Sequence, residues 1–154
     1  MLQTSKGNIV IQFRIDKPIT AGNFKKLIEK GTYDGTIFHR VIANFMIQGG
    51  DPTGTGYGDD SIPTILDEIG RNNRNARGTI AMAKTCDPDS ASSQFFINVV
   101  DNGRVPGFDP TYAVFGEVVE GMDVVDAISQ VATNKANNDR PLQNVMVVKA
   151  QVLL

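Results

Sequence analysis

Apolar and polar positions alternate with a period of two along most of this chain, the spacing of strands that bury one face. Asn8 to Phe13 sets Ile9, Ile11 and Phe13 on one side and Val10, Gln12 and Arg14 on the other. Phe38 to Ile42, Thr79 to Ala83, Ser93 to Val100, Tyr112 to Val119 and Asn144 to Leu154 read the same way. The last run predicts an unbroken apolar face of Met146, Val148, Ala150, Val152 and Leu154. Turn clusters such as Asp51-Pro52-Thr53-Gly54 and Asp109-Pro110 separate the runs.

Helical spacing occurs twice. Thr20 is placed to cap a helix that carries Phe24, Leu27 and Ile28 on one stripe and stops at Gly31. Asp123 is placed to cap a second, with Val124, Val125, Ile128 and Val131 at helical intervals. Many short strands with two helices predict a mainly β fold, a closed antiparallel barrel whose open ends the helices plug. Closure also removes edge strands that would otherwise be exposed.

Composition narrows the classes. With 154 residues, 41% of them apolar, the chain reads as a single domain over residues 1–154. A net charge of -2 lacks the basic footprint of nucleic-acid binding. One cysteine excludes an internal disulfide, and one cysteine with one histidine excludes a Cys/His zinc site. No apolar run approaches the roughly 20 residues of a membrane span, and Met1 to Lys6 shows no signal-peptide core. The expectation is a soluble, cytoplasmic, metal-free monomer.

Several chemically suggestive residues have plainer explanations. Cys86 lies in a polar turn with no activating base beside it, and His39 alternates within a strand as a packing residue. Asp59-Asp60 and Asp67-Glu68 read as solvated turns rather than an acid/base pair. Gly54-Thr55-Gly56-Tyr57-Gly58 has the look of a phosphate loop, but no lysine-serine/threonine follows, so it reads as a flexible glycine turn.

Two segments carry more. Gln94, Phe96 and Asn98 set one aromatic among amides on the wetter strand face, as binding surfaces do. Arg40 interrupts the apolar strand Phe38-His39-Arg40-Val41-Ile42, and Phe45-Met46-Ile47-Gln48-Gly49-Gly50-Asp51 follows it. Together with Ser93-Gln94-Phe95-Phe96-Ile97 and Val114-Phe115-Gly116, these runs resemble the signature blocks of the cyclophilins, which are peptidyl-prolyl cis-trans isomerases. Block order and spacing hold over essentially the whole chain, and the short N-terminus and Met82-Ala83-Lys84-Thr85 resemble the compact prokaryotic-type members.

The resemblance implies a closed eight-stranded antiparallel barrel capped by two helices, with a packed interior and a substrate groove on the outer wall. It implies that Arg40 is catalytic and that Phe45, Met46 and Phe96 wall a proline pocket, with Tyr112 on its rim. Gln48 resembles the amide that bonds the substrate backbone, and Ala83, Lys84 and Gln94 line the rest of the groove. The implied partners are proline-containing segments of unfolded or flexible proteins, and no cofactor or metal is implied.

The match fails between Val100 and Tyr112, where relatives present an aromatic–leucine pair. Counting from Asn102 favours Val105 for the leucine role, with Phe108 as the alternative under a different gap. Tight cyclosporin binders of the family place a tryptophan in this region; the chain has none, so weak cyclosporin binding is expected. The competing reading is a catalytically weak module that binds proline peptides in the same groove.

Overall fold

The structure, a computed structural model, describes residues 1–153. Strands β1 (Leu2–Thr4) and β2 (Gly7–Phe13) form a hairpin, followed by helix α1 (Pro18–Glu29). Then come β3 (Thr36–Ile37), β4 (Arg40–Ile42), β5 (Met46–Gly49), β6 (Thr79–Met82), β7 (Phe95–Asn98) and β8 (Val114–Glu120). Helix α2 (Met122–Ser129), the short pair β9 (Thr133–Asn134) and β10 (Arg140–Pro141), and β11 (Met146–Ala150) complete the chain.

The main sheet has nine strands in the order β3-β11-β1-β2-β8-β6-β7-β5-β4. It corrects the expected closed eight-stranded barrel: the sheet is a strongly curled half-barrel, and no ladder joins β3 to β4. The two edges are instead consecutive in the chain, linked by Phe38 and His39. Backbone groups at this seam find partners without closure. Phe38 N–H donates to Val145 O at 2.9 Å, and Val41 N–H donates to Asp139 O at 3.0 Å.

The strand faces follow the alternation, with one exception. On β2, Ile9 is fully buried and Ile11 and Phe13 pack against the core. On β11 the expected face is reversed: Val145 and Val147 are buried, whereas Met146 and Val148 are exposed. The register against β1 runs from Gln3–Lys149 to Thr4–Val147, so Val148 is skipped and bulges out. That extra residue returns Ala150 to the core, as expected, while its neighbours point to solvent. Leu154 lies outside the described residues.

Helix α1 starts at Pro18, which suits a first helical position because it lacks the N–H that would be orphaned there. Thr20 is buried within the first turn instead of capping it. The cap comes from across the molecule: the Glu68 carboxylate accepts from Ile19 N–H at 3.1 Å and Thr20 N–H at 2.9 Å. Helix α2 begins after Gly121, whose φ of 91° only glycine adopts cheaply, and Asp123 lies in its first turn.

Phe24, Tyr33, Phe95 and Phe115 form the centre of the core, with Phe24 ring centroids 4.8–5.4 Å from the other three. The interior is filled, not hollow. A second apolar cluster lies on the opposite side of the same strands: Met46, Ala81, Phe96 and Val114, flanked by Ile42, Phe45, Ala83, Phe108 and Tyr112.

Candidate active site

Period two places the site. Inward-facing Val41, Ile47, Phe95, Ile97 and Ile80 belong to the core, so their neighbours face outward. Register then aligns a row across five strands: Arg40 opposite Gln48, Gln48 opposite Phe96, Phe96 opposite Ala81, and Ala81 opposite Val114. Neighbours directly opposite each other stand about 5 Å apart at Cβ, so a guanidinium, an amide and an aromatic ring share one strip of outer wall.

The apolar end of the strip is a cage of rings. Phe96 meets Tyr112 edge-on at 5.4 Å and Phe108 at 5.7 Å. Phe108 also meets Phe45 at 5.9 Å and Tyr112 at 4.7 Å. Phe45, Met46, Phe96 and Tyr112 therefore come together as the sequence reading groups them. Val105 does not join them: it is 43% exposed and outside the cluster, and Phe108 occupies the wall. A turn brings Phe108 in, with its N–H donating to Val105 O at 3.1 Å and Tyr112 N–H returning to Phe108 O at 3.1 Å.

The polar end is a relay of amides. Gln48 Nε2 donates to Gln94 Oε1, and Gln94 Nε2 to Gly56 O, each at 3.1 Å. Ala83 N–H donates to Gln94 O at 3.0 Å, which brings Ala83 beside them. Arg40 is half-buried, and among the described residues none of the ion pairs engages it. Lys84 is committed elsewhere. Its Nζ lies 2.6 Å from Asp67 Oδ2 and its side chain is nearly buried, so the groove faces a neutralised pair there. Burial pushes the Asp67 carboxyl up, but the Lys84 ammonium and the Asp89 N–H outweigh this and hold it below its usual value.

His39, next to Arg40 in the chain, is buried, with Nδ1 unpaired among the described residues. Burial lowers its pKa, Asp51 opposes that, and Arg140 and Arg40 add to it. Cys86 is exposed and free.

Residues that sequence reasoning passed over hold the cage in place. Asn73 Nδ2 donates to Asp109 O at 2.6 Å and Tyr112 O at 2.7 Å, while its Oδ1 accepts Val114 N–H at 2.8 Å. Buried Lys17 donates to the same Oδ1 at 2.9 Å and to Ile69 O at 2.7 Å; burial pushes its ammonium pKa down. Asn98, fully buried, joins Asn75 at 3.0 Å and Asn102 at 2.8 Å, and Asn102 reaches Phe45 O at 2.8 Å. The Asn72-Asn73-Arg74-Asn75 run was the available signal, since asparagines so dense often bond backbone.

The glycine-rich turn is also organised from within. Asp51 is fully buried, and its carboxylate accepts from Thr53, Gly56 and Gly58 N–H groups at 2.7–3.0 Å. Burial raises its pKa, but these hydrogen bonds hold it below its usual value. An internal carboxylate thus takes up the N–H groups of this turn.

The profile of a family described as cyclophilin type peptidyl-prolyl cis-trans isomerase/CLD matches residues 1–152. A peptidyl-prolyl cis-trans isomerase of Acinetobacter baylyi is 45% identical over 98% of this chain and 83% of its own. One from Streptomyces antibioticus is 45% identical over 99% and 96% respectively. A cyclophilin-type isomerase of Cryptosporidium parvum, solved in the presence of the dipeptide Ala-Pro, superposes with a TM-score of 0.86 at 29% identity, covering 96% of this chain and 94% of that one.

Proposed function

Because the chain belongs to the cyclophilin-type peptidyl-prolyl cis-trans isomerase family and is an isomerase of X–Pro bonds, we propose that Arg40 is its catalytic residue and the aromatic cage its proline pocket. The supporting observation is the row Arg40–Gln48–Phe96, which sets a guanidinium, an amide and a ring side by side. That the Cryptosporidium relative was solved in the presence of the dipeptide Ala-Pro supports this reading.

The reaction breaks no bond. Its barrier of roughly 18–20 kcal/mol is the amide resonance that keeps the peptide planar. Catalysis therefore means binding the twisted amide better than either planar form. In the twisted form the prolyl nitrogen regains its lone pair, and the Arg40 guanidinium donates a hydrogen bond to it. Arginine suits this role because it stays charged and holds its donors in a rigid plane. Phe45, Met46, Phe96 and Phe108 pin the pyrrolidine ring, with Tyr112 at the rim, while the acyl side rotates. Gln48 holds the substrate backbone, and Ala83, Lys84 and Gln94 line the continuation of the groove.

Substrates in this reading are exposed X–Pro segments of folding chains, and the chain acts as a monomer, since one copy supplies the whole row. No helix among the described residues is long and apolar enough to cross a membrane. A cytoplasmic setting is part of the same proposal.

A protease-coupled assay on a proline tetrapeptide tests the assignment. Arg40→Ala should lower kcat/KM at least tenfold, about 1.4 kcal/mol of transition-state stabilisation, with the fold intact. Arg40→Lys should also be impaired. Near-normal rates in both would remove arginine from the mechanism, whereas a wild type with no rate above background would leave a proline-binding module.

A further inference from the structure

Tyr57 is the largest apolar side chain that the proposed mechanism leaves unused beside the groove. Its side chain is 91% exposed, so folding gains almost nothing from it. Ile15 is exposed as fully, but Tyr57 alone of the two borders the site. It lines a cleft of about 380 Å³ together with Gln48, Gln94 and Ala83. It also lines a second, of about 230 Å³, together with Arg40 and Gln48. The remaining lining is mostly polar or glycine, so Tyr57 is the only tyrosine or phenylalanine bordering either cleft.

Its backbone is held on both sides. The Asp51 carboxylate accepts from Gly56 N–H at 2.7 Å and Gly58 N–H at 3.0 Å, and Tyr57 N–H donates to Thr55 Oγ1 at 3.1 Å. Gly56 and Gly58 have φ of 90° and 87°, a turn that other residues enter only with strain. A clamped backbone with a free ring is a preorganised contact, because tyrosine adds large area at little entropy cost.

We propose that Tyr57 is a specificity-determining residue of this groove, packing its ring on a large apolar side chain that flanks the X–Pro bond of the bound chain. This rests on the groove being the substrate site. The test compares otherwise identical peptides in which a glycine at each position flanking the X–Pro pair is replaced by phenylalanine. The wild type should favour phenylalanine at one such position. Tyr57→Ala should lower that preference in kcat/KM by roughly threefold to tenfold, and Tyr57→Phe should keep it. The thermal midpoint should be the same in all three proteins, because the ring is not packed. Equal preference in wild type and Tyr57→Ala would overturn the proposal. So would a Tyr57-dependent preference for lysine in place of phenylalanine, which would be cation recognition. Fluorescence anisotropy of the same peptides reads the contact without catalysis. A protein whose binding preference depends on Tyr57 but which isomerises nothing would overturn the catalytic assignment and sustain the contact.

Discussion

Phe108 and Val105 sit three positions apart in one turn yet have opposite surroundings. Phe108 touches three rings of the pocket, and Val105 stands half exposed outside it. Aromatic pairs contribute about 0.5–1.5 kcal/mol each beyond area burial. Phe108→Ala should therefore raise KM roughly threefold to tenfold in a steady-state assay, with a smaller change in kcat. Val105→Ala should stay within about twofold by the same arithmetic. A reversed order would put Val105 back in the wall. The same wall bears on cyclosporin. Phe108 offers an apolar plate but no N–H donor, and the chain has no tryptophan to supply one. One missing hydrogen bond costs about 0.5–1.5 kcal/mol and the contact area missing without an indole adds to it, so inhibition should be about tenfold or more weaker than that of a tryptophan-bearing relative. Low-nanomolar inhibition in a drug titration would contradict this.

Helix α1 shows how an element depends on a distant residue. Its first turn has no cap from its own side chains, and the Glu68 carboxylate meets two of its orphan amides. Removing a cap costs about 1 kcal/mol, which for a domain of this size lowers the thermal midpoint by roughly 2–4 °C. Glu68→Ala should show that loss by calorimetry with kcat/KM retained. An unchanged midpoint would mean the amides are equally well served by water. The β11 bulge carries a related lesson. Both faces of Met146-Val147-Val148 are apolar, so alternation alone could not choose, and pairing with β1 decided which side faces the core.

Across the whole molecule, charge and burial set the response to acid. His39 is lowered from its ordinary 6.5, so the unfolded chain takes up a proton there before the folded one does. Its contribution is full above 6.5 and is lost as the pH falls through the lower folded value. Asp51, Asp67, Asp101 and Asp126 are all lowered from 3.8, and their contributions are lost further into acid. Urea midpoints followed from pH 7.5 to pH 3 should therefore decline in two stages. His39→Gln should remove the earlier one; its persistence would assign that stage to other groups.

Sequence alone determined the mainly β class, both helices, the inward faces of β2 and β7, and the grouping of Arg40, Gln48 and Phe96. Each follows from local periodicity or from motif blocks, which short-range sterics and burial enforce. It did not determine barrel closure, because whether β3 meets β4 depends on where the amides of Phe38 and Val41 find partners. Nor did it place Phe108 against Phe45, Phe96 and Tyr112, since a gap in a loop has no period to count by. Asp51 read as part of a turn and sequence reasoning passed over Asn73, yet one grips the glycine turn and the other the backbone of Tyr112. The role of Asn73 arises only when residues dozens of positions apart are brought within 3 Å, where burial makes an unpaired polar atom costly.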